Sequence, residues 1–294
     1  MDHAGRRLLL ALLAAASWQA GIGAQARERI AFVSVIERET GQPAATVGAA
    51  DLVVREDKIA REILRVTPAT GPMPVAILLD NSAAAEPAIA DLRTGLNDFL
   101  ATLGDVGPVS LITMGERPTI VTDYTPAADQ LRAGIGKVFS RPDSGATTLE
   151  AVWEVTRGLQ RREGERAAIV LVSLAGTEHS TLHADAVLGR LKDSGAALHV
   201  IALSTPGRTP LDDATRQRDT LFDRGARTSG GHYRTILSSQ SLAPALADVA
   251  RILRHQHRVV YARPQTLIPP ETFEVAAAKP GFTAYGTAAR GQPR

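Results

Sequence analysis

Four nearly unbroken apolar runs divide the middle of the chain: VAILL at 75–79, VSLITM at 109–114, AAIVLVSL at 167–174 and ALHVIAL at 197–203. Runs this short, without polar alternation, are expected of strands buried on both faces of a parallel sheet. The segments between them repeat apolar residues at helical spacing. In 86–103 the repeat is Ile89, Leu92, Leu96, Phe99, Leu100 and Leu103. Residues 127–139, 147–161, 181–193, 212–226 and 239–256 read as further helices, with short strands at 119–121 and 233–236. Strands alternating with helices predict right-handed crossovers, and hence an α/β fold with a doubly wound, mostly parallel sheet.

The flanks have a different texture. Residues 29–36 (RIAFVSVI) read as a strand, and Gly41-Gln42-Pro43 as a turn. Two β-type runs, 52–54 and 62–66, flank a charged stretch at 55–61 and predict a small antiparallel unit. Pro68, Gly71, Pro72 and Pro74 mark 67–74 as a linker. Late in the chain, 258–262, 272–278 and 282–286 again read as strands, the last two joined at Pro280-Gly281. Pairing of these with the early strands would bring the two ends together. The expected layout is a leader at 1–26, a β segment at 27–72, the doubly wound domain at 73–256, and a β segment at 257–294 that packs with the first.

Composition narrows the chemistry. The 294 residues are 44% apolar and 22% charged, enough to bury a core. The net charge is +2, and no Lys/Arg stripe with interleaved aromatics occurs, which speaks against nucleic-acid binding. Arg161, Arg162 and Arg166 lie among Glu163 and Glu165 and read as a solvated helix end. The absence of cysteine excludes disulfides, Cys-ligated metals and thiol nucleophiles. Arg6-Arg7, an apolar run from Leu8 to Ala16 and Ala24-Gln25-Ala26 have the form of a cleavable leader. Export to the periplasm or the cell exterior is therefore expected, and no later run is long enough to span a membrane.

In open α/β sheets ligands bind beyond the carboxyl ends of the strands. The first such turn reads Asp80-Asn81-Ser82-Ala83-Ala84. A carboxylate and a hydroxyl two residues apart can face one small ion, and such oxygen donors suit Mg²⁺. The competing reading makes Asp80 and Ser82 a helix N-cap with a hydrogen-bonded turn. VAILLDNSAAA resembles the first metal-site loop of von Willebrand factor type A domains, usually D-x-S-x-S. GATTLEAV at 145–152 resembles the second loop, with Thr147 the matching threonine and Thr148 an alternative. AAIVLVSLAGTEHS at 167–180 resembles the third strand and loop. DLVVREDKIAREI and SGGHYRTI resemble flanking motifs of a bacterial secreted subgroup, with Lys58 for a glycine and Ser229 for a threonine.

The resemblance implies a metal-assisted protein-binding face formed by Asp80, Ser82 and Thr147. Two of the family's ligand positions fall on Ala84 and Ala175, whose methyl groups donate no electron pair. Glu178 is a candidate substitute ligand. The expected cofactor is none, or weakly held Mg²⁺ or Mn²⁺. An enzyme is not expected: there is no G-x-S-x-G elbow, no H-E-x-x-H and no phosphate-binding glycine loop. His179 and His183 read as surface residues, His199 as a satisfied buried imidazole, and Gly230-Gly231 as a plain turn. The reading is an exported, non-enzymatic binding module for a protein or cell-envelope component. The alternative is a structural or assembly subunit of the envelope with no metal-dependent binding.

Overall fold

Every residue of Val75–Leu79 is buried, and the rest of the domain is arranged around that strand. The computed structural model describes residues 26–204, 212–265 and 268–291; the leader reading of 1–25 lies outside them. The chain forms β1 (Ala26–Glu37), β2 (Leu52–Glu56), β3 (Ile59–Arg61), β4 (Ile63–Pro68), β5 (Val75–Leu79), α1 (Ile89–Leu103), β6 (Val109–Thr113) and β7 (Thr119–Thr125). It continues through α2 (Ala128–Gly136), α3 (Thr148–Gln160), β8 (Ala167–Ser173), α4 (Ala184–Ser194), β9 (Ala196–Leu203), α5 (Asp213–Thr220), α6 (Ala226–Ser229) and β10 (Tyr233–Ile236). It closes with α7 (Leu242–Arg254), β11 (His257–Pro264), β12 (Phe273–Ala277) and β13 (Phe282–Ala288).

The central sheet has the order β10-β9-β8-β5-β6-β7. All its pairs are parallel except β6 with β7 at one edge. Alternate residues of β5 feed two cores. Val75, Ile77 and Leu79 pack with α1, α2 and α7 on one face; Ala76 and Leu78 pack with α3 and α4 on the other. This is the doubly wound architecture expected from the apolar runs. Local differences have local causes. Residues 83–88 form a tight 3₁₀ turn containing Pro87, which has no N–H to give, so α1 starts only at Ile89. A π-helical turn over Leu221–Gly225 joins α5 to α6 and carries the helical run to Ser229.

The chain ends do meet. One antiparallel sheet has the order β13-β1-β11-β4 and a second the order β12-β2-β3. Val33, Val35, Leu52, Val54, Val259 and Tyr261 form the core between them. The pairing within the early segment differs from expectation. Runs 52–54 and 62–66 lie in different sheets: β2 pairs with β3, drawn from the charged stretch, and β4 pairs with β11. The two-residue turn Asp57-Lys58 (φ 48° and 67°) closes the β2–β3 hairpin, with both residues at the positive φ such turns need. Glu62 alone separates β3 from β4, and the chain changes sheets there.

Three side-chain readings are also corrected. Arg166 is buried, not solvated. Its guanidinium donates to the carbonyls of Gly71 (2.6 Å) and Ala69 (3.3 Å) and to Gln256 Oε1 (3.0 Å), tying down the linker. Burial pushes its pKa down to about 10. Gly230-Gly231 is a seam rather than a plain turn. A Cβ on Gly230 (φ 77°) would lie 2.1 Å from the Gly286 carbonyl oxygen of β13, and one on Gly231 1.9 Å from that of Leu198. His199 is buried, and neither ring nitrogen has a hydrogen-bond partner among the described residues.

His199 makes stability depend on pH. Burial, with His232 nearby, pushes its pKa down from 6.5 to about 3. As pH falls through 6.5 toward 3 the unfolded chain takes up a proton that the fold refuses. Stability is thus full above the unfolded value and falls by about 1.4 kcal/mol per pH unit below it. His199→Leu, close in volume and without polar atoms, is expected to flatten that slope. Denaturant melts at about pH 7 and about pH 4 would check this; an unchanged slope would contradict it.

Candidate functional site

β5 delivers Asp80 to the carboxyl edge of the sheet, where the residue is fully buried. Its Oδ1 accepts from the Ser82 amide (3.0 Å) and its Oδ2 from the Leu174 amide beyond β8 (2.8 Å). One carboxylate therefore holds its own turn and a loop 94 residues away. Ser82 is also fully buried. It precedes the 3₁₀ turn but does not cap it with its side chain, and its Oγ has no hydrogen-bond partner among the described residues. The hydrogen-bonded turn of the competing reading is present; the serine cap is not. Gly176 is laid directly on this hydroxyl. A Cβ there would stand 2.2 Å from Ser82 Oγ and 3.4 Å from Asp80 Oδ2.

The second loop joins the same assembly through the main chain. The Thr147 amide and Oγ1 both donate to the Met114 carbonyl (2.8 and 3.0 Å), while the Met114 amide donates to Leu79 (3.0 Å). The Ala83 amide donates to Ser144 (3.1 Å), Ala146 to Thr177 (2.8 Å) and His179 to Ala146 (2.7 Å). Asn81 adds a side-chain bridge, accepting from the Gly115 amide (2.8 Å) and donating to the Phe139 carbonyl (3.0 Å). The loops carrying Asp80, Ser82, Thr147 and Ala175-Gly176 are thus brought together.

Glu178 is placed differently from a group facing an ion. It is buried at the N-terminus of α3, where it accepts from the Thr148 amide (2.9 Å), Thr148 Oγ1 (2.7 Å) and Ser180 Oγ (2.5 Å). A carboxylate there meets an unpaired helix amide and the positive end of the helix dipole. Burial raises its pKa, against the opposing effect of the hydrogen bonds from Ser180 and Thr148. In return Glu150, in the first turn of α3, accepts from the Thr181 amide (2.7 Å). Asn81, Glu150 and Ser180 were not singled out from sequence. Asn81 stands inside the motif itself, and that adjacency is its only sequence signal.

Toward solvent the first loop is apolar and small, while the third presents Thr177 and His179. Ala83 and Ala84 are exposed, and Ala175 is half-buried at φ 63°. Phe139 is 62% exposed, with the Arg93 guanidinium 4.3 Å from its ring centre. Arg141 pairs with Glu116 beside it. A polar pocket of about 170 Å³ next to Ala175 is lined by Ser173, Ser204, Arg218, Asp219 and Thr235, among others. His179 and His183 are exposed, and the His179 ring lies over Gly145. Among the described residues no three His, Cys, Asp or Glu side chains are grouped to hold a metal.

No protein-family model matches the sequence, and no curated protein matches it. Solved structures do match in shape. A von Willebrand factor type A protein from Catenulispora acidiphila is 10% identical, with a TM-score of 0.51. That match covers 92% of this chain and 67% of the other, and so extends beyond the central sheet into the strands from the chain ends. Proximal thread matrix protein 1 from the mussel byssus is 16% identical with a TM-score of 0.51, covering 68% of this chain and 50% of that one. Likeness at such low identity concerns the fold alone, and the fold of this chain is that of von Willebrand factor type A domains, with a β sandwich built from both chain ends.

Proposed function

We propose that this chain is an exported, non-enzymatic module that binds a protein or cell-envelope component through the carboxyl edge of its central sheet, without a firmly held metal ion. The observation that carries the reading is the state of Asp80. Both of its oxygens accept main-chain N–H groups, while the outward positions of the same loop are the methyls of Ala83 and Ala84. A divalent ion that favours oxygen ligands wants carboxylate charge and several donors. Here Asp80 is engaged, Glu178 is held by α3, and Ala84 and Ala175 supply no oxygen. The remaining hydroxyls, Ser82 and Thr147, are neutral, so the residues present fit such an ion poorly. Export rests on the leader-like start; among the described residues no helix is long and apolar enough to cross a membrane.

What remains is a rigid, laced platform presenting small apolar groups, Phe139, and the Arg141–Glu116 pair. Such a surface suits recognition by shape and apolar contact with a charged rim. Glu178 takes over the cross-linking that an ion would otherwise supply, by joining the third loop to α3.

Four measurements test this reading. Thermal melts with millimolar Mg²⁺ or Mn²⁺ are expected to show no rise, because an ion bound only by the folded chain would stabilise it by mass action. Ser82→Ala is expected to leave stability equal or slightly higher, since the lost hydroxyl has no partner. A metal-induced rise that disappears in Ser82→Ala would overturn the metal-free reading. Glu178→Ala is expected to cost about 1–3 kcal/mol in denaturant melts, by stranding the Thr148 amide and the Ser180 hydroxyl. No loss would remove the cross-linking role. For binding itself, capture of a partner from envelope extract is expected to survive chelator and to fail with Ala84→Arg. Loss on chelation, or capture unaffected by Ala84→Arg, would contradict the proposed face.

A further inference from the structure

One end of the β sandwich holds more positive charge than it neutralises. Arg29 on β1 stands opposite Tyr261 on β11, and Arg263 follows two residues along, on the same face of the sheet. Glu56, at the end of β2, reaches this group from the other sheet and is 2% exposed. Its Oε1 accepts from the Tyr261 hydroxyl (2.8 Å). Its Oε2 pairs with Arg61 Nε (3.1 Å) and more loosely with Arg263 Nε (3.6 Å). Glu56 is therefore shared between two arginines already. Arg29 is 8% exposed, and its Nε, sealed from solvent, has no hydrogen-bond partner among the described residues. Burial and the neighbouring Arg263 both push its pKa down, so its surroundings disfavour the positive charge.

A guanidinium stays charged in proteins, and one left in a buried place without an acceptor is expensive. Among the described residues Glu56 pairs with Arg61 and Arg263, and Arg29 is left without an ion pair. Arg29, Glu56, Tyr261 and Arg263 line a groove of about 1310 Å³ between the sandwich and the α4–α6 flank of the doubly wound domain, whose wider wall also carries Glu163, Glu165, Asp185, Asp193, Glu271 and Glu274. Phe273, Leu188 and Pro270 contribute apolar wall to the same groove. It is much larger than a simple inorganic anion, and so has room for the body of a ligand as well as its charged head.

We propose that this groove binds a ligand through an oxyanion head, carboxylate or phosphate, seated on Arg29 and Arg263. The planar fork of a guanidinium matches either group with paired N–H···O bonds. The seat is built by both ends of the chain and lies away from the face formed by Asp80 and its neighbours. The inference is independent of what that face binds.

The test is a thermal-shift and calorimetric titration of the whole protein with inorganic phosphate and with acetate, at ionic strength held constant with chloride. With at least one oxyanion, stability is expected to rise with the logarithm of concentration above its Kd. A phosphate response alone assigns a tetrahedral head, and an acetate response alone a planar one. Arg29→Met is expected to weaken binding roughly tenfold or more and, without anion, to melt no lower than the wild type. Arg29→Lys, which keeps the charge but removes the fork, is expected to weaken it as well. No response beyond the chloride control in the wild type would overturn the proposal, whether or not the variants fold. So would an undiminished response in Arg29→Met, or a lower melting temperature for that variant without anion.

Discussion

A carboxylate that water cannot reach must be met by donors, and in this fold Asp80 finds them in two separate main-chain segments. The Ser82 amide belongs to the turn that follows β5; the Leu174 amide belongs to the loop that follows β8. Two neighbouring parallel strands are thereby joined at their carboxyl ends by one side chain. Everything placed on that edge inherits the constraint. Gly176 can lie on Ser82 only because Leu174 is held, and a side chain at 176 would collide with the serine hydroxyl. The lacing through Ala146, Thr177 and His179 then carries the order to the start of α3, where Glu178 closes it.

Much of the architecture could be read from the chain because buried parallel strands carry a signal that needs no partner. β5, β6, β8 and β9 are continuous apolar runs, and helices between them repeat at 3.6 residues. The signal fails where burial is partial. β3 shows exposed, exposed and half-buried residues, so Ile59-Ala60-Arg61 looked like part of a charged connection. Arg166 was read from its charged neighbours, yet its environment is set by carbonyls of Ala69 and Gly71, nearly a hundred residues earlier. His199 lies in an apolar run, where a polar partner would be the usual expectation. Ile201, two residues on and on the same side of the strand, belongs to an apolar cluster, and neither ring nitrogen of His199 finds a partner among the described residues.

The candidate face was legible to the same extent. Asp80, Ser82 and Gly176 do converge, since strand order and the carboxyl-edge rule place their loops together. What local sequence could not disclose is how each oxygen is used. Whether Glu178 faces an ion or a helix end depends on Thr148, thirty residues before it. Asn81 was passed over for its charged and hydroxylic neighbours, although its amide both accepts and donates and so can bridge two loops where a carboxylate could not. The expectation of a partnered serine at the helix start failed for a related reason. The Ser82 hydroxyl lies against Gly176 and accepts no amide of the following turn.

The buried charges of this protein form a series that separates structure from site. Asp80 is met by two amides, Glu178 by an amide and two hydroxyls, and Arg166 by two carbonyls and a glutamine oxygen. Glu56 is met by a tyrosine hydroxyl and two guanidinium groups. In each case at least one partner comes from a distant segment, and the charge serves to fasten it. Arg29 does not fit that pattern: it fastens nothing, is crowded by a like charge, and opens on a groove. Replacing Arg29 with an apolar residue would stabilise the fold, were the guanidinium only filling space. Its position beside Arg263 on the wall of a groove is instead the feature that an incoming oxyanion would need.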